Sequence, residues 1–106
     1  MLRLTVGALL APLCLAATSM AAEHVIVQKN KTFSVAEITI QRGDTILFKN
    51  EDGVAHNAFS TSKEFSFNLN MQLPKASTSV VFENEGTIEV RCVIHPAMKL
   101  IVNVKK

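Results

Sequence analysis

Three soft metal donors lie within seven residues near the end of the chain. The segment CVIHPAM, residues 92–98, contains the thiol of Cys92, the imidazole of His95 and the thioether of Met98. Residues that span a turn have Cα atoms within about 7 Å, so the thiol and the imidazole can meet at one point. Pro96 stiffens the backbone directly after the histidine. This donor set suits copper better than calcium or magnesium, which prefer oxygen, or zinc, which normally takes more Cys or His.

A trigonal copper site needs one more nitrogen donor, and the sequence offers two further histidines, His24 and His56. His24 lies close to the start of the predicted mature chain. His56 follows a predicted strand that ends at Asn50, and neighbouring strands of a sandwich can bring it close to Cys92. The predicted ligands are therefore His56, Cys92, His95 and, as a long axial ligand, Met98. This set is the His2Cys plus Met arrangement of blue-copper sites.

The motif His56-Asn57, followed far downstream by CVIHPAM, resembles the cupredoxins, and the Cys-x2-His-x2-Met spacing is similar to the amicyanin type. The resemblance implies a Greek-key β-sandwich that holds one type 1 copper ion, Cu(I) or Cu(II), at its loop end. It also implies that Asn57 ties the two ligand loops together and that His95 is the exit point for electrons. Amicyanin-type loops usually carry Pro directly before the second histidine, whereas this chain has Ile94, so the redox potential is not implied.

The first 21 residues have the order of a secretory signal peptide. Arg3 supplies a positive start, and an apolar run extends from Leu4 to Ala17. Small residues then precede the predicted cleavage after Ala21. Cleavage after Ala22 is the alternative. The pattern predicts an exported, periplasmic protein with no membrane span.

The predicted exported domain, residues 22–106, has a single cysteine, because Cys14 belongs to the leader. An unpaired thiol in an oxidising compartment needs an explanation. Besides a copper thiolate, Cys92 can be a buried small hydrophobe or a nucleophile with His95 as its base. No orienting acid or oxyanion donor is recognisable, so we expect no enzyme activity.

The exported domain reads as an all-β protein. Turn residues recur every eight to twelve positions, and runs of Val, Ile, Phe and Thr alternate with polar residues between them. The predicted strands are His24–Gln28, Ala36–Ile40, Thr45–Asn50, Phe65–Leu69, Ser77–Glu83, Thr87–Cys92 and Met98–Val104. Seven to eight strands without a helix predict an antiparallel sandwich of the cupredoxin type. The RGD segment at Arg42–Asp44 is predicted to be a hairpin turn, and Cys92 is predicted to face the core at the end of its strand.

Charge excludes a nucleic-acid partner. The formal net charge is +2 for the whole chain and falls by one unit when Arg3 is removed. Lys and Arg are scattered, with no stripe that could follow a phosphate backbone. We expect a monomer whose redox partners dock transiently near His95, on small apolar residues: Val54, Ala55, Pro96 and Ala97.

The predicted function is one-electron transport by an exported mononuclear copper protein. A periplasmic copper-tolerance protein is the alternative. After cleavage at Ala21, the terminal amine, two backbone amides and the imidazole of His24 would offer a square-planar nitrogen set for a second Cu(II). Otherwise His24 simply opens the first strand.

Overall fold

The computed structural model describes Gly7 and residues 20–106. The predicted signal peptide, residues 1–21, lies outside the described residues except for Gly7, Met20 and Ala21. The described part of the chain forms nine strands: β1 (Glu23–Lys29), β2 (Thr32–Phe33), β3 (Glu37–Gln41), β4 (Thr45–Asn50), β5 (Phe59–Ser62), β6 (Phe65–Asn68), β7 (Ser77–Val81), β8 (Gly86–Arg91) and β9 (Lys99–Lys105). Within that part, no helix is long and apolar enough to cross a bilayer.

The strands form two sheets, in the orders β2-β1-β4-β7 and β3-β9-β8-β5-β6. This confirms the predicted all-β sandwich. The pairs β1–β4 and β3–β9 are parallel, so the sandwich is not purely antiparallel. There are nine strands rather than seven to eight because β2 has only two residues and because β5, with the sequence FSTS, has too little apolar alternation to be recognised.

The RGD turn was wrongly predicted to be a hairpin. Gly43 has φ 93°, as a tight turn requires. However, the turn joins β3 of one sheet to β4 of the other. The amide of Arg42 donates to the carbonyl of Lys105 at 2.7 Å, and that of Gly43 donates to the carbonyl of Phe82 at 2.7 Å. The turn therefore carries the chain from one sheet to the other, and backbone hydrogen bonds hold it in place.

The core lies between the two sheets. The burial of alternate side chains along β8 confirms the predicted period of two. Ile88, Val90 and Cys92 are all at most 1% exposed. Phe48 stacks edge-on against Phe33 and lies 6.3 Å from the ring of Phe67. Cys92 thus follows the last buried position of β8 and is held at one end of the packed core.

Candidate metal centre

Two loops at the same end of the sandwich carry the predicted metal donors. The loop between β4 and β5, residues 51–58, contains His56, and the loop between β8 and β9, residues 92–98, contains the other three. The backbone of His56 is fixed by Gln72, because the amide of each residue donates to the carbonyl of the other, at 3.0 and 2.7 Å. This isolated bridge holds the first loop in place from outside either sheet.

The side chains of His56, Cys92 and His95 converge. One donor atom from each residue lies within 4.8 Å of the others. The Nδ1 atoms of the two histidines are 3.2 Å apart, and Cys92 Sγ lies 3.9 Å from Nδ1 of His95. His56 and Cys92 are buried and His95 is half-buried. Two imidazole nitrogens and one thiol sulfur at these separations fit the donor chemistry of a copper ion.

Asp52 fixes the orientation of the His56 ring. Its Oδ2 atom lies 2.8 Å from His56 Nε2, which leaves Nδ1 directed at Cys92 and His95. The amide of Lys31 donates to the same carboxylate at 2.9 Å. The hydrogen bond with His56, followed by that from Lys31, lowers the pKa of Asp52 from 3.8 to about 2. A charged acceptor on the far ring nitrogen is the usual outer partner of a metal-binding histidine.

Asn57 joins the two donor loops, as the resemblance implies. Its backbone amide donates to Cys92 Sγ at 3.3 Å, and its side-chain Oδ1 accepts from the amide of Val93 at 3.2 Å. Its Nδ2 donates to Asn68 Oδ1 at 2.8 Å and to the carbonyl of Asn70 at 2.9 Å. The loop that carries His56 thus places a hydrogen-bond donor directly at the sulfur of Cys92.

Met98 closes the second loop. It is 2% exposed, and its amide donates to the carbonyl of His95 at 2.9 Å. The side chain of Met98 is therefore buried three residues after the half-buried histidine, directly before β9. Its role as an axial ligand stays a prediction.

Three residues that organise the site had not been recognised from the sequence: Asn50, Asp52 and Gln72. Asn50 is fully buried, and its Nδ2 donates to the carbonyls of Val54 and Gln72, both at 3.0 Å. The spacing Asp-x3-His in EDGVAH could have indicated Asp52. Nothing local identifies Gln72, because its contact with His56 is made through the backbone.

His24 lies away from this centre. It occupies the start of β1, opposite Ile46 near the start of β4, whereas the donor loop follows the end of β4. Its Nε2 atom lies 2.9 Å from Oδ2 of Asp44. The structure therefore assigns His24 to the opposite end of the first sheet.

Apolar side chains surround the metal centre at the surface. Val54, Val93 and Ile94 are exposed, as are Pro96 and Ala97 of the expected docking surface. Met71 and Leu73, on either side of the residue that bridges to His56, are 66% and 62% exposed. We call the exposed apolar residues Val54, Met71, Leu73, Val93 and Ile94 the apolar rim.

The chain belongs to the plastocyanin/azurin family of copper binding proteins, whose family model matches residues 21–105. It is therefore a cupredoxin. The methylamine utilization protein MauL of Methylophilus methylotrophus is 29% identical over 98 residues, which cover 88% of this chain and 56% of that protein. The chain thus spans about half the length of this relative.

Solved structures share the fold. The purple cupredoxin from Nitrosopumilus maritimus is 25% identical with a TM-score of 0.69, over 76% of this chain and 98% of that one. A variant of reduced amicyanin is 22% identical with a TM-score of 0.73, over 78% and 82% of the two chains. The copper-containing nitrite reductase of Thermus scotoductus matches with a TM-score of 0.72 over only 22% of its own chain.

Proposed function

We propose that this protein is an exported, mononuclear type 1 copper protein that carries one electron at a time between redox partners. The observation that supports this most directly is the convergence of one donor atom each from His56, Cys92 and His95 within 4.8 Å. Bound copper would supply reversible Cu(I)/Cu(II) chemistry. The proposed ligands are His56, Cys92, His95 and, axially, Met98.

The surrounding residues hold the donors in one arrangement. Asp52 accepts from Nε2 of His56 and so keeps Nδ1 available. The Asn57 amide donates to Cys92 Sγ. Because one contact comes from a backbone amide and the other from a carboxylate that the amide of Lys31 also holds, the ligands need not rearrange when the charge at the site changes. A site with little rearrangement suits electron transfer.

The surface near His95 suits transient docking. The apolar rim places uncharged side chains around a half-buried imidazole. Contacts of this kind exclude water without the network of ion pairs that would slow release. The leader-like residues 1–21 support export to the periplasm, where soluble redox partners would meet this surface. The role requires no catalytic residue, and we propose none.

The second Cu(II) site predicted at His24 is not part of the proposal. That site needs the terminal amine, two successive backbone amides and the imidazole in one plane. In β1, successive amides point to opposite sides of the strand. His24 Nε2 is also held by Asp44. The nitrogen set would form only if the first residues of β1 left the sheet.

The visible spectrum of the protein with one equivalent of Cu(II) tests the proposal. We expect an intense thiolate-to-copper charge-transfer band, lost in Cys92→Ser and kept in Met71→Leu, a matched change at an exposed sulfur. A band that survives in Cys92→Ser would refute the ligand assignment.

Two further measurements separate electron transport from copper tolerance. Reversible voltammetry with fast self-exchange would support the electron carrier. Copper sensitivity on deletion, with respiration intact, would support copper tolerance instead.

A further inference from the structure

Asp44 is a buried carboxylate with three donors at the end of the sandwich opposite the metal centre. It is 4% exposed. Its Oδ1 accepts from the backbone nitrogen of Ala22 at 2.9 Å. Its Oδ2 lies 2.9 Å from Nε2 of His24 and 3.0 Å from the amide of Gln41. The proposed electron carrier makes no use of this cluster.

The carboxylate is held by the rigid turn between the sheets. The amide of Gly43 donates to the carbonyl of Phe82 at 2.7 Å, and the amide of Phe82 donates to the carbonyl of Asp44 at 2.9 Å. The amide of Asp44 donates in turn to the carbonyl of Gln41 at 3.0 Å. Because these bonds involve residues downstream of β1, the position of Asp44 does not depend on the residues before Ala22.

Among the residues that the structure describes, Ala22 is the first with hydrogen bonds from both its backbone nitrogen and its carbonyl. Its nitrogen donates to Asp44, and its carbonyl accepts from the amide of Thr45 at 2.9 Å. That second bond begins the β1–β4 ladder, in which Glu23 pairs with Thr45. Met20, two residues before Ala22, is 89% exposed. Within the described residues, these backbone contacts therefore begin at the predicted cleavage position.

We propose that Asp44 is the receptor for the α-ammonium group that cleavage after Ala21 creates on Ala22. The inference rests on the proposed export. In the cleavage a signal peptidase adds water across the Ala21–Ala22 peptide bond, leaving a carboxylate on Ala21 and an ammonium on Ala22. No electrons are transferred.

Cleavage converts a hydrogen bond from a neutral amide to the Asp44 carboxylate into an ion pair at the same place. A hydrogen bond with one ionised partner is already roughly twice as strong as a neutral one, and the ammonium adds a second, opposite charge. Arg42 and Lys106 line the adjoining cleft, but within the described residues Arg42 pairs with Glu85 instead. The new ammonium thus completes the set of donors around Asp44 and fastens β1 to β4.

The same contacts distinguish the products of the two cleavage positions. Cleavage after Ala22 would remove both the nitrogen that binds Asp44 and the carbonyl that binds Thr45. It would also leave Glu23, an acidic residue, as the first residue near a buried carboxylate. The ion pair is therefore available only to a mature chain that begins at Ala22.

A thermodynamic cycle tests the ion pair. Protein that begins at Ala22 is prepared with its α-amine free or acetylated, in the wild type and in Asp44→Asn, and unfolding midpoints are measured with and without one equivalent of copper. We expect acetylation to lower the wild-type midpoint by about 4 °C or more, and to have a much smaller effect in Asp44→Asn. Equal effects in both backgrounds would overturn the inference.

The mass of the exported protein provides a second, independent result. We expect a chain that begins at Ala22, and one that begins at Glu23 would overturn the inference. These outcomes are separate from the fate of the proposed function. The copper spectrum tests the metal centre, whereas the acetylation cycle tests the opposite end of the sandwich and does not depend on colour.

Discussion

The Nδ1 atoms of His56 and His95 lie 3.2 Å apart, although 39 positions separate the two residues in the chain. Asp52 occupies the other ring nitrogen of His56, so a neutral His56 ring presents a lone pair to its neighbour. At this distance Nδ1 of His95 either donates a proton to that lone pair or, if it is itself unprotonated, needs a cation beside it. The two rings can therefore share a proton or bind a metal ion. Cys92 Sγ lies 3.9 Å from His95 Nδ1 and supplies a third donor, which favours the metal ion.

Asp52→Ala should weaken copper binding without removing a ligand. The substitution leaves His56 Nε2 without its acceptor and the ring without a fixed orientation. Loss of such an outer partner typically costs about 10- to 100-fold in metal affinity. Competition with a Cu(I) chelator measures this. Glu51→Ala is the matched control, since Glu51 is an exposed neighbour that pairs with Lys49, and equal affinities in the two variants would contradict the prediction.

Asn57→Ala should destabilise the protein more than an exposed Asn→Ala change does. It leaves the amide of Val93 without its acceptor and removes both bonds from Nδ2. An unpaired buried polar group costs about 1–3 kcal/mol. Urea unfolding gives the free energy. In the control Asn84→Ala, which loses one exposed bond to Glu64, we expect a smaller loss, and a loss as large as that in Asn57→Ala would contradict the role of Asn57.

The parts of the site that could be predicted are those encoded locally. The alternation of Ile88, Val90 and Cys92 fixes which way the thiol points, because side chains alternate along a strand. The spacing within residues 92–98 places a thiol and an imidazole in one turn. His56 follows by elimination among three histidines. That all four predicted residues bind copper stays a prediction.

The parts that could not be predicted depend on pairings between distant segments. Gln72 holds His56 through two backbone bonds, which carry no residue-type signal. The RGD turn looks like a hairpin because a turn sequence does not reveal whether the next strand joins the same sheet. The strand Phe59–Ser62 is short and polar, and its pairing with Phe65–Asn68 decides its structure.

Met98→Leu should separate the packing role of the Met98 side chain from its predicted role as an axial copper ligand. Leu fills nearly the same volume, so the cost to stability should be below about 1.5 kcal/mol. If Met98 is the axial ligand, its loss removes a donor that favours Cu(II), and the reduction potential should rise. Voltammetry measures the shift. Met71→Leu, at an exposed position, should leave the potential unchanged, and the same potential in both variants would make Met98 a core residue only.

Ile94→Asp should slow electron exchange between copies of the protein. Ile94 is 45% exposed and belongs to the apolar rim, so a carboxylate there brings like charges together in the encounter. Charge complementarity changes association rates by about 10-fold or more. Self-exchange measured by NMR line broadening at low salt tests this. Val81→Asp, at a 46% exposed position on β7, is the control, and an equal slowing in both variants would contradict docking at the rim.

Asp44 should make part of the stability depend on pH. The hydrogen bond with His24, followed by those from the amides of Ala22 and Gln41, holds the pKa of Asp44 below its ordinary 3.8. Unfolded chains therefore take up a proton on this group at a higher pH than folded ones do. The stabilisation is complete above 3.8 and is lost as the pH falls through the lower folded value.

The comparison of wild type with Asp44→Asn between about pH 6 and about pH 3 isolates this contribution, because other carboxylates titrate in both proteins. The charged neighbours of Asp44, namely His24, Arg42 and Lys106, stay unchanged in the variant. We expect the wild type to have the higher unfolding midpoint near neutral pH and the difference to shrink in acid. A difference that grew as the pH fell would mean that Asp44 is destabilised by its charge, which its three donors argue against.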